Sequence, residues 1–329
     1  MSAAAGWAAR CERGSRYLVR LMTWTALTLG WHVARILLLP VTVWFWASSP
    51  TARAASRGFL GRALGRPPTG ADVWRHFVCF ASVILDRLYL LAGKTRGYRF
   101  DLNGLDSLLA VLAEGRGCLL LGSHLGSFEV LRALSRAAPV RIRPLMYLDN
   151  GGPLSRMLEQ LDPVLARDVI NIGTTSTMLE VRESVARGEM VGILGDRAPR
   201  DQKCLPTRFF GKPALLPTGP IILASMLNTP TFLFFGLRTG PRRYRVHLEP
   251  FADAIVLNRA TRQADLEHWL ARYAERLEAH ARECPYNWFN FYDFWNMADG
   301  IAKDRAHHRL PARDRVGPKF RGPAAAGPI

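Results

Sequence analysis

Leu119-Leu120-Leu121-Gly122-Ser123-His124-Leu125-Gly126-Ser127-Phe128-Glu129 is the stretch on which the fold turns. Cys118 to Gly122 reads as a short apolar strand, and Ser127 to Ala137 reads as a helix after a small-residue turn. A strand feeding a helix in this way is the unit of an α/β layer. His124 stands at the carboxyl end of that strand, where open α/β sheets bind their ligands. On one continuous helix His124 and Glu129 would point about 140° apart. With His124 in the turn and Glu129 in the first helical turns, the carboxylate is expected to reach back to the imidazole. There it would fix the tautomer and support the imidazolium after proton uptake. The helix start near Gly126 and Ser127 should offer free N–H donors to a negative charge. The plain alternative is that His124 is an ordinary turn residue.

Outward from this stretch the alternation continues. Asp72–Leu91, Pro153–Leu161, Thr174–Arg187, Thr218–Leu227 and Gln263–Arg282 read as helices. Val140–Tyr147, Val169–Ile172, Met190–Leu194, Thr231–Leu237 and Tyr244–Leu248 read as strands. The pattern predicts an α/β fold over residues 61–300, a mixed central sheet flanked by helices, with a Pro- and Gly-rich linker at Arg62–Gly70. Residues 301–329 form a basic tail rich in Pro, Gly and Ala.

Residues 1–60 differ in character. From Tyr17 to Ser49 the chain is almost continuously apolar, interrupted by Arg35 and Pro40. The sequence leaves three readings open: a re-entrant or interfacial helical hairpin, one tilted span, or a buried helix pair. Arg10, Arg13, Arg16 and Arg20 lie on one side of the run's apolar core, with Arg53 and Arg57 on the other. Basic flanks on both sides suit a membrane-anchoring segment that dips in and returns to the cytoplasmic face.

The chain has 329 residues, is 49% hydrophobic and carries a formal charge of +17. A core of that size excludes wholesale disorder, and the charge suits anionic partners such as phospholipid headgroups, nucleic acid or an acidic protein. Five scattered cysteines without a Cys-x-x-Cys pair argue against a disulfide framework or a structural zinc site. Dinucleotide, phosphate-loop and nucleophile-elbow spacings are absent, and so is any nucleic-acid module.

His124-x4-Glu129 after an apolar strand, behind an apolar N-terminal segment, resembles the glycerolipid acyltransferase superfamily. The flanking residues resemble its bacterial branch of late lipid A and lysophospholipid acyltransferases. Two further blocks agree in order: Gly195-Asp196-Arg197 after a strand, and Phe209-Phe210-Gly211-Lys212-Pro213-Ala214 with Pro217-Thr218-Gly219-Pro220 leading into a helix. The resemblance covers residues 15–297 or so. It implies an O-acyltransferase of the bacterial inner membrane, with its catalytic domain on the cytoplasmic face. An acyl chain would pass from an acyl carrier protein thioester, or from acyl-CoA, to a hydroxyl of a lipid or glycolipid. Neither a metal nor a cofactor beyond that co-substrate is implied.

In this reading His124 is the general base and Glu129 its support, with Arg197 or N–H groups near Gly126 and Ser127 facing the oxyanion. Asp196 and Arg197 otherwise read as a surface turn pair. Arg208 and Lys212 are candidates for an anionic headgroup, or else a solvated basic loop. Asn150 and Arg156 follow another strand, where the family places substrate contacts. Tyr286-Asn287-Trp288-Phe289-Asn290-Phe291-Tyr292-Asp293-Phe294-Trp295, with seven aromatics in ten residues, reads as core packing or as an acyl groove. The competing functions are a thioester hydrolase on the same site and a non-enzymatic basic binding protein.

Overall fold

Four helices lead the chain into its sheet. In a computed structural model, which describes residues 16–131, 141–147, 160–197 and 202–295, these are α1 (Arg16–Leu29), α2 (Trp31–Ser48), α3 (Pro50–Ala63) and α4 (Gly70–Leu91). The breaks do not fall at Arg35 and Pro40, as the sequence suggested. They fall at Gly30, whose φ of 87° ends α1, and at Ser49. Pro40 lies inside α2, where it lacks the N–H for one helical hydrogen bond. Arg35 stacks on Trp31, one turn earlier, at 5.1 Å. Arg53 fixes the corner between α2 and α3 by donating to the Trp46 and Ala47 carbonyls at the end of α2.

Among the described residues no single helix is long and apolar enough to cross a membrane. α2 and α3 pass that test only together, and they meet at a bend of 91°. One face of α1 and α2 packs on α4 through Ala26, Trp31 and Ala34, while Ile36 is 67% exposed, Val43 50% and Trp44 54%. α4 begins with a capping box in which Thr69 and Asp72 satisfy each other's backbone N–H groups.

Next come β1 (Arg99–Asn103), α5 (Leu105–Ala113), β2 (Cys118–Gly122), β3 (Ile142–Met146), α6 (Pro163–Asp168), β4 (Ile170–Asn171), α7 (Thr177–Ala186) and β5 (Met190–Leu194). They are followed by β6 (Cys204–Phe209), β7 (Lys212–Pro217), α8 (Gly219–Leu227), β8 (Thr231–Gly240), β9 (Arg243–Ala252) and α9 (Arg262–Glu283). A 3-10 turn at Pro285–Asn287 leads into the aromatic run.

The sheet has the order β1-β9-β8-β2-β5-β3-β4. The five strands from β8 to β4 run parallel, and β9 reverses direction after β8, with β1 parallel to it. The expected mixed sheet flanked by helices is therefore present. Side chains alternate across it, as the period of two requires. Leu119, Leu121, Leu233 and Phe235 face α9, while Cys118, Leu120, Phe232 and Phe234 face α4 and α5. Burial on both faces explains why these strands read as continuous apolar runs.

β1, α5 and the β6-β7 hairpin have no counterpart in the sequence reading. β6 alternates buried Leu205, Thr207 and Phe209 with exposed Pro206 and Arg208. Its two-residue turn, Phe210-Gly211, has φ of 49° and 75°, the type I′ pattern. Phe-Gly is a weak signature for that turn, so the hairpin was hidden. The predicted helix at Pro153–Leu161, residues 132–137 of the helix after Ser127, and the tail at 301–329 lie wholly or mostly outside the described residues. Cys79, Cys118, Cys204 and Cys284 are free thiols.

Candidate active site

β2 and β5 are neighbours in parallel register, with Gly122 opposite Leu194. The loops leaving their carboxyl ends therefore emerge side by side. One carries His124 and the other Asp196. Asp196 Oδ1 lies 2.8 Å from His124 Nδ1 and accepts the His124 backbone N–H at 3.0 Å. Asp196 Oδ2 accepts the Trp288 indole N–H at 3.0 Å. The carboxylate is fully buried.

Burial alone would raise the Asp196 pKa, but the charge and hydrogen bond of His124, the charge of Arg197 and the Trp288 N–H outweigh it and hold the carboxyl at about 2. For His124 the balance goes the other way. Burial first, and then the Arg197 charge, lower its pKa against the pull of Asp196. The imidazole is thus neutral at neutral pH. Its Nδ1–H is committed to Asp196, and its Nε2 lone pair has no hydrogen-bond partner among the described residues. A third of the His124 side chain reaches solvent.

The expected contact between Glu129 and the imidazole gives way to another arrangement. Glu129 Oε1 pairs with Arg87 Nε of α4 at 2.7 Å, and Oε2 accepts the Ser127 hydroxyl at 2.9 Å. The reason lies in the backbone: helical structure starts at Val130 rather than Ser127. Leu125 and Gly126 instead form isolated bridges to Trp288 and Gly236, so the stretch is clamped between two partners. Gly126 N–H donates to the Asn287 carbonyl at 2.8 Å, Ser127 N–H to the Gly236 carbonyl at 2.9 Å, and Phe289 N–H to the His124 carbonyl at 3.1 Å. The Gly126 and Ser127 donors proposed for an oxyanion are therefore already engaged. Gly126 has φ of 79°, and a Cβ there would lie 2.0 Å from the Gly236 carbonyl oxygen. Only glycine permits this approach.

Arg197 follows Asp196 in the loop after β5. It donates to the Phe289 carbonyl and lies 5.7 Å from the Tyr292 ring centre, while its buried Nε has no partner among the described residues. Arg208 and Lys212 sit exposed at the tip of the β6-β7 hairpin, and no described contact joins them to His124. Asn150 and Arg156 lie outside the described residues.

The sequence reading missed two participants, Trp288 and Asn287. The aromatic run is largely core: Trp288 is fully buried, and Phe294 and Trp295 nearly so. Yet the same Trp288 holds Asp196, and Asn287 fixes both Gly126 and the Arg238 backbone. Behind it His76 is fully buried. Its Nε2–H donates to the Trp288 carbonyl and its Nδ1 accepts from Ser56, each at 2.9 Å, which joins α3 and α4 to this wall. Aromatic density in the sequence marked the segment, but nothing linear paired it with a carboxylate.

A cavity of about 640 Å³ lies elsewhere, where α1 meets α2, and contains none of the residues around His124. Lys94, Arg96, Arg242 and Trp31 line it, with no acidic side chain.

A comparison with curated proteins gives no match. Residues 79–296, two thirds of the chain, match the family described as bacterial lipid A biosynthesis acyltransferase. That span holds His124, Glu129, Asp196, Arg197 and the aromatic run at 286–295, and the chain belongs to this family of acyltransferases.

Proposed function

We propose that the protein moves a fatty acyl chain from a carrier-protein or CoA thioester to a hydroxyl of a membrane glycolipid or lysophospholipid. The observation that carries this reading is the pairing of His124 Nδ1 with a buried, ionised Asp196 while Nε2 stays open to solvent. A hydroxyl needs a base near neutral pH, and a neutral imidazole with a fixed tautomer supplies one. His124 Nε2 takes the hydroxyl proton as the oxygen attacks the thioester carbonyl carbon. Asp196 stabilises the imidazolium, and the Arg197 guanidinium faces the carbonyl oxygen as it gains charge. The intermediate collapses, the C–S bond breaks, and the thiolate takes the proton back from His124. The products are an ester and a free thiol. Glu129 acts at one remove, by holding Arg87.

Three observations support a membrane-bound lipid acceptor. Ile36, Val43 and Trp44 give α2 an exposed apolar face, suited to a bilayer interface. Phe80 and Ile84 of α4 are also exposed, and Phe80 meets the ring of Phe289 at 5.3 Å, an apolar lip beside the residue that Arg197 holds. The basic cavity at Lys94, Arg96 and Arg242 suits an anionic headgroup. A charge of +17 favours encounter with an acidic carrier protein at the cytoplasmic face.

The test is product analysis by mass spectrometry with acyl-carrier protein or acyl-CoA and a lipid acceptor. Acylated lipid supports transfer, whereas free fatty acid alone identifies a thioester hydrolase. His124→Ala should fold and lose the product, and full activity in that variant removes the base.

A further inference from the structure

On the α9 side of the sheet, away from the His124 loop in sequence, four side chains converge from two elements. His247 and Glu249 project from β9, and His280 and Glu283 from the last turn of α9. Glu249 is held by Arg276 through two contacts of 2.9 Å. It also accepts the His280 Nε2–H at 2.7 Å. In a neutral imidazole that bond leaves a lone pair on Nδ1. His280 Nδ1 lies 3.4 Å from Glu283 Oε2, and His247 Nε2 lies 3.8 Å from the same oxygen. Both nitrogens are buried without a hydrogen-bond partner. The His280 side chain is only 5% exposed. Glu283 Oε1 is occupied by Arg245 at 2.6 Å, so one carboxylate oxygen faces the two imidazoles.

Three electron-pair donors thus gather in one place, all within 4.8 Å of one another. A cation between them removes the mutual repulsion and satisfies both orphaned nitrogens. Ligand atoms about 2.0–2.1 Å from a tetrahedral ion stand about 3.3 Å apart. The 3.4 Å spacing already fits and the 3.8 Å spacing needs to close by about half an ångström, while the two imidazole nitrogens, within 4.8 Å of each other, draw together by rotation of the His247 ring. Two imidazoles and one carboxylate select a borderline transition metal over magnesium or calcium.

We propose that His247, His280 and Glu283 form a site for a zinc-class divalent metal ion, with Glu249 orienting His280 from behind and water at the fourth position. A carboxylate on the far nitrogen of a metal-bound histidine is the usual outer support of such sites. The metal joins the end of α9 to β9, immediately before the turn that carries Asn287 and Trp288 to the His124 loop. Its role is to brace that wall, and it takes no part in acyl transfer, so this proposal stands apart from the reaction assigned above.

The experiment uses untagged full-length protein stripped with chelator and titrated with zinc by calorimetry, then with cobalt by visible absorption. One ion per chain, a tetrahedral cobalt spectrum and a raised melting temperature are expected. Glu283→Gln, at a part-exposed position, should fold and weaken zinc binding by at least about tenfold. His247→Ala should abolish it, and His124→Ala should bind like the wild type. No saturable binding by the wild type overturns the proposal and leaves His280 as a partner of Glu249 and Glu283 alone. So does an octahedral cobalt spectrum, or unchanged affinity in Glu283→Gln.

Discussion

Replacing Asp196 with Asn keeps the shape of the side chain and removes one charge and one acceptor. Asp196 accepts three hydrogen bonds with its two oxygens: two from His124 on Oδ1 and one from Trp288 on Oδ2. An amide has one oxygen. If it faces His124, the amide N–H₂ meets the Trp288 N–H, donor against donor. If it faces Trp288, the N–H₂ meets the His124 backbone N–H and forces the ring into the tautomer whose Nε2 carries the proton. Either way one buried donor loses its partner, at about 1–3 kcal/mol of stability. The rate should suffer more, because the imidazolium formed in the transition state loses its counter-charge. A loss of about 10³–10⁴ in kcat is expected, equivalent to about 4–5.5 kcal/mol of barrier. Glu129→Gln loses only the ion pair with Arg87, worth about 1 kcal/mol at this exposure, and should retain more activity. The assay is acylated-lipid formation under saturating donor, with thermal melts of each variant as control. A folded Asp196→Asn within tenfold of the wild type, or a Glu129→Gln that is the more damaged of the two, would refute the assignment of Asp196 as the carboxylate behind the base.

Four further outcomes follow from the same geometry. The His124 pKa lies below 6.5, so kcat/KM should hold above that pH and fall on acidification as the imidazole protonates; Arg197→Gln removes a charge that lowers this pKa and should move the acid limb upward. Gly126→Ala places a Cβ against the Gly236 carbonyl at a φ of 79°, and should both lower the melting temperature and displace His124, seen as loss of kcat. His76 is buried and neutral with its pKa lowered to about 4 by desolvation. The unfolded chain takes up that proton first, so stability should fall between pH 6.5 and 4 by up to about 3 kcal/mol, a loss that His76→Asn should abolish in denaturant melts. Ile36→Glu combined with Trp44→Glu should reduce binding to anionic vesicles more than tenfold while leaving the melting temperature unchanged, since both side chains already face outward.

Much of the scaffold was legible because its signals are local. Buried strands such as Cys118–Gly122 and Met190–Leu194 are runs of apolar residues with turn residues at each end, and they fall where the sequence placed them. The long helices α4 and α9 follow from apolar spacing and end within two residues of expectation. The errors arose where local preference was overruled. Pro40 and Arg35 look like breakers, but α2 runs through both, with Arg35 stacked on Trp31, and the break comes at Ser49, where Arg53 caps the helix end. β6 and β7 are joined by Phe210-Gly211, a turn without the usual signature residues, and so did not stand out as a hairpin.

By itself the sequence determined the α/β layering, the placing of His124 at a strand's carboxyl end, and the neighbourhood of Asp196 and Arg197 at another. It did not determine which carboxylate the imidazole would hold. His124 and Glu129 are close along the chain, but backbone bonds to Asn287 and Gly236 hold that stretch out of the helix, which starts at Val130. Asp196 is 72 residues away and arrives because β2 and β5 pair in parallel register. Strand order is fixed by how side chains pack on both sheet faces, a property of the assembled core that no linear spacing records. The convergence of His247, His280 and Glu283 has the same origin, a helix end laid across a strand.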